Sequence, residues 1–249
     1  MIFKQLYEPL SSTYTYLLGD EITGHAVLID PVIATMERDL AELHRLGLKL
    51  IYTIETHIHA DHITAALEMK RTVGSRIAAP AYDRLPCVDV GLVEGKPFQV
   101  AGITLQPLHT PGHTEGHFAY LMNDRVFTGD ALLIEGCGRT DFQNGNADAL
   151  YKSVREKLFA LPDETLVYPA HDYMERFVSS IAQEKKRNPR LGEDKTLEEF
   201  KAIMANLNLP YPKFIDHAVL GNQQCGVCPA DLPDNLSNYC GQMTESMQG

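Results

Sequence analysis

A group of metal-binding side chains directly after a buried strand is the feature that most constrains how this chain folds. Residues 49–55 have the apolar, β-branched pattern of a buried strand, and His57, His59, Asp61 and His62 follow at once. Imidazoles and carboxylates are the side chains that bind zinc, iron and manganese. In a loop at a strand end, alternate residues can turn the same way, so His57 and His59 can face one point. Asp61 and His62 can then face a neighbouring point. The segment therefore predicts a metal centre rather than a set of solvated histidines.

Three more metal-binding side chains follow later predicted strands. His113 lies in a Pro-Gly-His turn, Asp130 in a Thr-Gly-Asp segment and His171 in a Pro-Ala-His segment. Gly112 and Gly129 precede two of them and allow a close approach of the backbone where a site is crowded. These strand ends are expected to contribute to the same centre as the first cluster.

The first half of the chain combines strands and helices. Residues 13–18 and 25–30 are β-branched or aromatic runs separated by turn residues, so they are predicted to pair. Apolar residues at helical spacing over 36–46, ended by Gly47, then lead to the strand at 49–55, and this βαβ step predicts a parallel pair. Further strands are predicted at 76–79, 103–109, 118–122, 125–129 and 166–169, and further helices at 63–73, 148–160, 174–187 and 196–206. Two rounds of strands with helices predict sheets that are covered on their outer faces, in a four-layer α/β arrangement.

The charge balance excludes some partners. The 249 residues include 22 Lys and Arg against 33 Asp and Glu, and the net charge of −11 repels nucleic-acid phosphates and anionic lipid. No apolar run approaches the ~18 residues of a membrane span, and the first residues match neither a secretory signal nor a transit peptide. We therefore expect a cytoplasmic, bacterial-like protein, or an organellar one already trimmed, with no nucleic-acid partner and no membrane association.

The five cysteines are odd in number and sparse for this length. That usage predicts a reducing compartment without a disulfide framework. Cys225 and Cys228 form a CxxC pair, but with Cys240 they offer only three thiols, so an incidental pair in a loose tail is favoured over a zinc or redox role. Cys137 is expected to be a buried packing residue.

The order and spacing of the metal-binding residues resemble the motif set of the metallo-β-lactamase superfamily. Within that superfamily, the segments 55–64, 128–134, 136–142 and 168–173 are similar to the persulfide dioxygenases. The resemblance implies a metallo-β-lactamase-like four-layer αββα sandwich, with the metal at the edge where the loops of the two sheets converge.

The resemblance also suggests how the chain is divided. Residues 1–172 are expected to form the metallo-β-lactamase-like αββα domain. Residues 173–249 are expected to form a C-terminal helical extension that completes the fold, with a polar tail from about residue 229. Similarity at 188–191 and 206–210 carries the resemblance beyond the metal motifs, so it covers most of the chain.

The resemblance implies a redox enzyme with one Fe(II) per chain. The iron would be held by His57, His113 and Asp130, which leave positions for O₂ and substrate. The family's reaction converts glutathione persulfide, O₂ and water into glutathione and sulfite, a step of sulfide oxidation. Four more side chains would lie around the iron and orient its ligands through hydrogen bonds: His59, Asp61, His62 and His171.

Two residues are candidates for binding the glutathione moiety. Arg139 follows two glycines in a Gly-Cys-Gly-Arg turn, and its guanidinium suits a peptide carboxylate. Tyr173 lies two residues after His171 and could offer its phenol to the tripeptide or the persulfide. The competing interpretations are an ion pair between Arg139 and Asp141, and a packing role for Tyr173.

Two other functions remain open at this stage. A glutathione thioester hydrolase of the glyoxalase II kind would use all seven metal-binding side chains for two metals and a bridging hydroxide. A non-enzymatic metal- or partner-binding domain on the same fold would be expected to have lost ligands, and none is missing here. A homodimer is kept as a candidate assembly.

Overall fold

Two six-stranded mixed sheets with helices make up the computed structural model, which describes residues 1–230, 232 and 240. The described chain divides into two compact units. The first unit comprises Met1–Gly91, Gln99–Ile103 and the described chain from Tyr211, and the second comprises Leu92–Phe98 and Thr104–Pro210. This confirms the α/β class predicted from the alternation of strands and helices.

The first sheet has the strand order β1-β2-β3-β4-β5-β6, and the second has the order β12-β11-β10-β9-β8-β7. In the first sheet β1, β2 and β3 are antiparallel neighbours, whereas β3, β4 and β5 run parallel. The strands are β1 (Ile2–Glu8), β2 (Thr13–Asp20), β3 (His25–Ile29), β4 (Lys49–Ile54), β5 (Arg76–Pro80), β6 (Val90–Leu92), β7 (Phe98–Val100), β8 (Ile103–His109), β9 (Phe118–Met122), β10 (Arg125–Gly129), β11 (Leu166–Pro169) and β12 (Ser179–Ser180).

Six α-helices accompany these strands in the described part of the chain. They are α1 (Met36–Arg45), α2 (Ala66–Val73), α3 (Ala147–Lys152), α4 (Ile181–Arg187), α5 (Leu197–Ala205) and α6 (Ile215–Asn222). In the first unit α1, α2 and α6 bury Leu43, Met69 and Ala218 against the strand residues Leu17 and Leu28. Burying a large aliphatic side chain contributes about 1.5–3 kcal/mol, so this shared core holds the three helices to the sheet.

The core of the second unit is built around α3 and α5. Leu150 and Phe200 are fully buried there with Val126 and Val167 of the sheet. The side chain of Asn146 caps α3 by accepting a hydrogen bond from the amide of residue 149. The helix predicted at 148–160 is present, but it continues from α3 as a π-helical segment over Ser153–Leu158.

One predicted helix was wrong in its first half. The helix expected over 174–187 begins only at Ile181, where Ser180 caps α4. The backbone is left-handed at Glu175 and Phe177, a conformation that a right-handed helix excludes. The side chain of Asp172 instead binds the amides of Met174 and Phe177, so local side-chain bonds replace the helical ladder.

The cysteine prediction was also wrong. Cys87 is disulfide-bonded to Cys225, and Cys228 is bonded to Cys240, so four of the five cysteines are paired. The CxxC residues therefore belong to two separate bridges rather than to an incidental pair. Cys137 is free and buried, as expected for a packing residue.

The predicted division at residue 172 stays a prediction, as does the C-terminal extension. The polar tail expected from about residue 229 lies outside the described residues, apart from 229, 230, 232 and 240. Among the helices that the structure describes, none is long and apolar enough to span a bilayer.

Candidate metal centre

In the first unit the metal-binding loop follows β4, and a relay of hydrogen bonds orients its first histidine. The Thr56 hydroxyl uses its single hydrogen to donate to Oδ2 of Asp30 at 2.8 Å. The same hydroxyl oxygen therefore accepts from Nδ1 of His57 at 2.9 Å. This arrangement fixes the tautomer of His57 and leaves Nε2 as the atom that can bind a metal.

His59 is fully buried and lies between two carboxylates. Its Nε2 is 3.1 Å from Oδ1 of Asp30 and 3.4 Å from Oε2 of Glu55. Burial alone would lower the pKa of His59, but the two carboxylates together raise that pKa well above its ordinary value. Nδ1 of His59 is buried and has no hydrogen-bond partner among the described residues.

His62 is held by one carboxylate and one hydroxyl group. Its Nδ1 lies 2.9 Å from Oδ2 of Asp61 and 3.3 Å from the Thr13 hydroxyl. Its Nε2 is buried without a hydrogen-bond partner in the described part of the chain. His59, Asp61 and His62 offer ligand atoms within 4.8 Å of one another, so the structure brings these three predicted site residues together.

The second unit brings together the other three metal-binding side chains. Nδ1 of His113 donates to the backbone carbonyl of Arg139 at 2.7 Å, so Nε2 is left for a metal. That Nε2 lies 3.4 Å from Oδ2 of Asp130, and Nε2 of His171 lies 3.5 Å from Oδ1 of the same carboxylate. Asp130 is therefore the shared centre of the three.

Backbone contacts position this second group. The amide of Asp130 donates to Nε2 of His117 at 3.0 Å, and the other nitrogen of that imidazole lies 2.8 Å from the Thr110 hydroxyl. Gly138 donates its amide to the Asp130 carbonyl, and a Cβ at this position would be 2.7 Å from both that oxygen and Nδ1 of His113. Only glycine fits this approach.

Gly112 has the role expected from the sequence. Its φ is 137°, and a Cβ there would come within 2.3 Å of the backbone of Leu150 on α3. Gly129 also has a positive φ, 51°. Both glycines allow the chain to turn at the strand ends that carry His113 and Asp130.

Arg139 forms an ion pair with Asp141, the structural role that competes with substrate binding. Its guanidinium binds both carboxylate oxygens of Asp141, at 2.6 and 2.7 Å, and donates to the carbonyl of Pro210. It also lies over the ring of Phe142, 4.5 Å from the centroid. The hydrogen bond from Arg139 lowers the pKa of Asp141, so that carboxylate stays charged beside it.

Tyr173 is largely exposed, with 67% of its surface accessible. Its ring stacks on the imidazole of His171, with centroids 5.9 Å apart and planes inclined by 6°. The side chain of Tyr173 therefore packs on His171 and is also exposed to solvent, so its geometry is compatible with both a packing role and a substrate contact.

The chemistry of the two groups fits a transition metal. Imidazoles and carboxylates dominate both, and buried ligand atoms of His59, His62 and Asp130 have no hydrogen bond within the described chain. Such atoms carry a desolvation penalty unless a cation or another partner meets them. Cys137 offers no competing nucleophile, because burial raises the pKa of its thiol to about 11.

Several residues that position the ligands were not assigned a role from the sequence. Asp30 follows β3 directly, so its place at a strand end was a usable signal. Glu55 and His117 lie within or beside the recognised motifs, but their spacing alone gives them no role. Asn222 contacts the first loop from 160 residues away, and nothing in the local sequence indicates that contact.

Comparison with known proteins agrees with this chemistry. Residues 9–171 match the family model described as the metallo-beta-lactamase superfamily. The chain is 46% identical to a Mus musculus protein named persulfide dioxygenase ETHE1, mitochondrial, over 91% of this chain and 89% of the relative. It is 36% identical to the hydroxyacylglutathione hydrolase of Methylococcus capsulatus, over 69% of this chain and 68% of that protein.

A solved structure extends the similarity to the fold. The crystal structure of ETHE1 from Myxococcus xanthus has a TM-score of 0.88 and 53% sequence identity to this chain. The match covers 91% of this chain and all of the other. The similarity therefore reaches well beyond the metal motifs.

Proposed function

The chain belongs to the persulfide dioxygenase family of the metallo-β-lactamase superfamily, with that superfamily's fold, and from this we propose that it oxidises glutathione persulfide at one Fe(II) per chain. It is an oxidoreductase that acts on a persulfide with O₂. The observation that carries the proposal is the 46% identity over nine-tenths of the chain to a named persulfide dioxygenase. In the proposed reaction, glutathione persulfide, O₂ and water give glutathione and sulfite, and the persulfide loses a net four electrons to O₂.

His57, His113 and Asp130 are the proposed iron ligands. When bound, Fe(II) supplies the one-electron chemistry that O₂ needs, which redox-inert zinc does not. The tautomers of both histidines support this assignment, because each has Nδ1 occupied by a neighbouring oxygen. Nε2 of each ring is then the atom that faces a metal.

The four remaining polar side chains have supporting roles in this proposal. They surround the iron ligands, exclude bulk water and fix ligand orientation through hydrogen bonds. The contacts of His59 with Asp30 and of His171 with Asp130 support such roles. The four residues are His59, Asp61, His62 and His171.

We further propose that Arg139 and Tyr173 bind the glutathione moiety. The carbonyl of Arg139 accepts from His113, which places this residue beside the second ligand group, and a substrate carboxylate would compete with Asp141 for its guanidinium. Tyr173 is largely exposed to solvent, so a substrate can reach its phenol while its ring stays stacked on His171.

Assembly and compartment are also part of the proposal. We propose a homodimer and a cytoplasmic location, with no nucleic-acid partner and no membrane association. The two disulfides remove the cysteine argument for a reducing compartment. The mouse relative carries the word mitochondrial in its name, so fractionation of the native host would decide the compartment.

Oxygen uptake combined with metal analysis tests this function. Protein purified with minimal handling should contain about one iron per chain and consume O₂ with glutathione persulfide, releasing sulfite, but not with glutathione alone. The competing function is thioester hydrolysis, suggested by the presence of all seven metal-binding side chains and the hydroxyacylglutathione hydrolase relative. Two zinc ions per chain and hydrolysis of S-lactoylglutathione without O₂ uptake would replace our proposal with that one.

A further inference from the structure

We propose that Asn222 is a positioning residue for the metal site: it holds the backbone of the 57–64 loop and thereby sets where the histidines of that loop point. The inference rests on the proposed function to the extent that His57 is taken as an iron ligand. Asn222 is the last residue of α6, outside the matched residues 9–171, and it is buried, with 4% of the residue exposed.

The side-chain amide of Asn222 makes three hydrogen bonds, all to this loop. Nδ2 donates to the carbonyls of His59 and His62, at 2.9 and 2.8 Å, and Oδ1 accepts from the amide of Thr64 at 3.0 Å. Both hydrogens of the amide group are used, and the acceptor is used as well. No charged or hydroxylic side chain of this size offers two donors and an acceptor in the same fork.

The position of Asn222 relative to the loop is fixed by close backbone packing. A Cβ at Gly221 would be 2.9 Å from Cδ1 of Ile63, and a Cβ at Gly226 would be 2.1 Å from the Thr64 carbonyl. The amide of Leu67 donates to the carbonyl of Cys225 at 3.0 Å. The end of α6 and the following turn therefore lie directly against the loop, and the amide cannot withdraw by a small shift of the helix.

The bonded carbonyls belong to the residues whose imidazoles bear unpartnered nitrogens. Nδ1 of His59 and Nε2 of His62 are buried and have no hydrogen bond in the described chain. Rotating either peptide unit would swing the attached side chain, so the bonds from Asn222 constrain the direction of those nitrogens. His57 precedes the same peptide units and depends on the same loop conformation.

Asn188 provides a matched control in the second unit. It is also buried, with 2% exposed, and its amide donates to the Gly136 carbonyl and to Glu184. Its Oδ1 accepts from the amides of Arg190 and Leu191. Loss of this side chain should cost stability by the same mechanism, but none of its partners is a metal-binding residue.

The experiment compares Asn222→Ala, Asn222→Ser and Asn222→Asp with Asn188→Ala. Apoprotein would be titrated with Co²⁺ under anaerobic conditions, with the visible ligand-field spectrum as the readout, alongside melting temperature and O₂ uptake. The Asn222 variants should bind Co²⁺ about 10–100-fold more weakly, with a changed spectrum and a lower kcat. Asn222→Asp should be the worst, because carboxylate oxygens would face two carbonyls. Asn188→Ala should melt earlier but bind Co²⁺ as the wild type does.

Two outcomes would overturn the proposal. One is a wild-type Co²⁺ affinity and spectrum in folded Asn222→Ala or Asn222→Ser. The other is failure of all three Asn222 variants to fold while Asn188→Ala folds, since Asn222 would then determine folding rather than ligand position. If the wild type consumes no O₂ with persulfide but the variants still lose Co²⁺ affinity, the proposed function fails and the positioning role stands.

Discussion

The two units present metal-binding side chains in opposite ways. The first unit places four of them in one short loop, and side chains orient them: the carboxylate of Asp30, the hydroxyl of Thr56 and the amide of Asn222. The second unit collects His113, Asp130 and His171 from three separate strand ends, and there a backbone carbonyl, a backbone amide and a glycine do most of the positioning.

This difference affects how each half tolerates change. A side chain that orients a ligand can be removed by one substitution, and the loss leaves a buried polar group without its partner. A backbone group such as the Arg139 carbonyl is present whatever residue occupies the position, so a steric change such as adding a Cβ at Gly138 is what disturbs the contact with His113. The amide of Asp130 is the exception, because its partner is the imidazole of His117. Metal binding in the first unit should therefore be more sensitive to substitution of the side chains that orient the candidate ligands. In the second unit it should be more sensitive to substitution of the candidate ligands and of the glycines beside them.

The largest expected effect compares two proposed iron ligands of the second unit with a supporting histidine of the first. His113→Ala or Asp130→Ala should abolish both iron binding and O₂ uptake, because only two protein ligands of the proposed three remain. His62→Ala in the first unit should lower affinity or turnover by about 10–100-fold, as residues that orient ligands usually do. Iron content and kcat measured on the three variants check this. Equal loss of iron in His62→Ala would mean that the two units contribute ligands differently from our assignment.

The next effect concerns disulfide bonds, which among the described residues lie only in the first unit. Cys87→Ser opens a bridge between residues 138 apart and should lower the free energy of unfolding by roughly 2–5 kcal/mol. Cys228→Ser, which opens a bridge of separation 12, should cost less. Urea unfolding gives both values. Alkylation of denatured, unreduced protein should label Cys137 alone, and labelling of all five thiols would contradict the pairing.

A smaller effect concerns Arg139 in the second unit. If it binds a substrate carboxylate, Arg139→Ala should raise KM for glutathione persulfide about 10–100-fold, because a charge-assisted hydrogen bond contributes about 1.5–3 kcal/mol. Arg139→Lys should recover part of the loss, and Asp141→Ala should leave binding intact by freeing the guanidinium. An unchanged KM and kcat with a lowered melting temperature would restrict Arg139 to its pair with Asp141.

The smallest effect compares buried carboxylates of the two units. Burial raises the pKa of Asp39 to about 6, despite Arg38 beside it. The folded state then holds a proton that the unfolded chain releases near its ordinary pKa, so stability falls as pH rises from about 4 to about 6 and the deficit persists above. Asp39→Asn should raise the free energy of unfolding by about 1–2 kcal/mol at neutral pH, with little gain at about pH 4.

Glu184 in the second unit is the control for that prediction. Burial also raises its pKa, but the carboxylate accepts hydrogen bonds from Asn188 and from the amide of Glu135. Glu184→Gln should bring no gain at neutral pH, because the new NH₂ group cannot accept from an amide. Denaturation of both variants across pH tests the contrast, and a gain for Glu184→Gln but not for Asp39→Asn would reverse it.

The sequence predicted those features that depend on local pattern. The paired strands, the βαβ step at β3, α1 and β4, and the metal-binding residues at strand ends were all recognisable, because each is encoded within a short segment. The resemblance to the persulfide dioxygenases was confirmed by identity over most of the chain. Iron, ligand assignments and substrate contacts stay predictions.

The features that were missed depend on tertiary contacts. The four edge strands, β1, β6, β7 and β12, have weak patterns of their own and are stabilised by their neighbours in the sheet. Helix α6 was missed because its apolar residues do not keep to one face. The contact of Asn222 with His62 joins residues 160 apart, and the local bonds of Asp172 replaced a helix that propensity favoured.

The first unit is discontinuous along the chain, and this determines the order in which a ribosome can complete it. Residues 1–91 emerge early, but α6 and the partner of Cys87 emerge only after the whole of Thr104–Pro210 has been made. The nascent first unit must therefore wait, with the surface that α6 covers still exposed, while the second unit is synthesised. Once Cys87 and Cys225 are joined, a single cut anywhere between residues 104 and 210 leaves the two fragments covalently attached. The first unit thus begins to be synthesised first but is completed last. Its disulfide between Cys87 and Cys225 then holds the two fragments of a cleaved chain together.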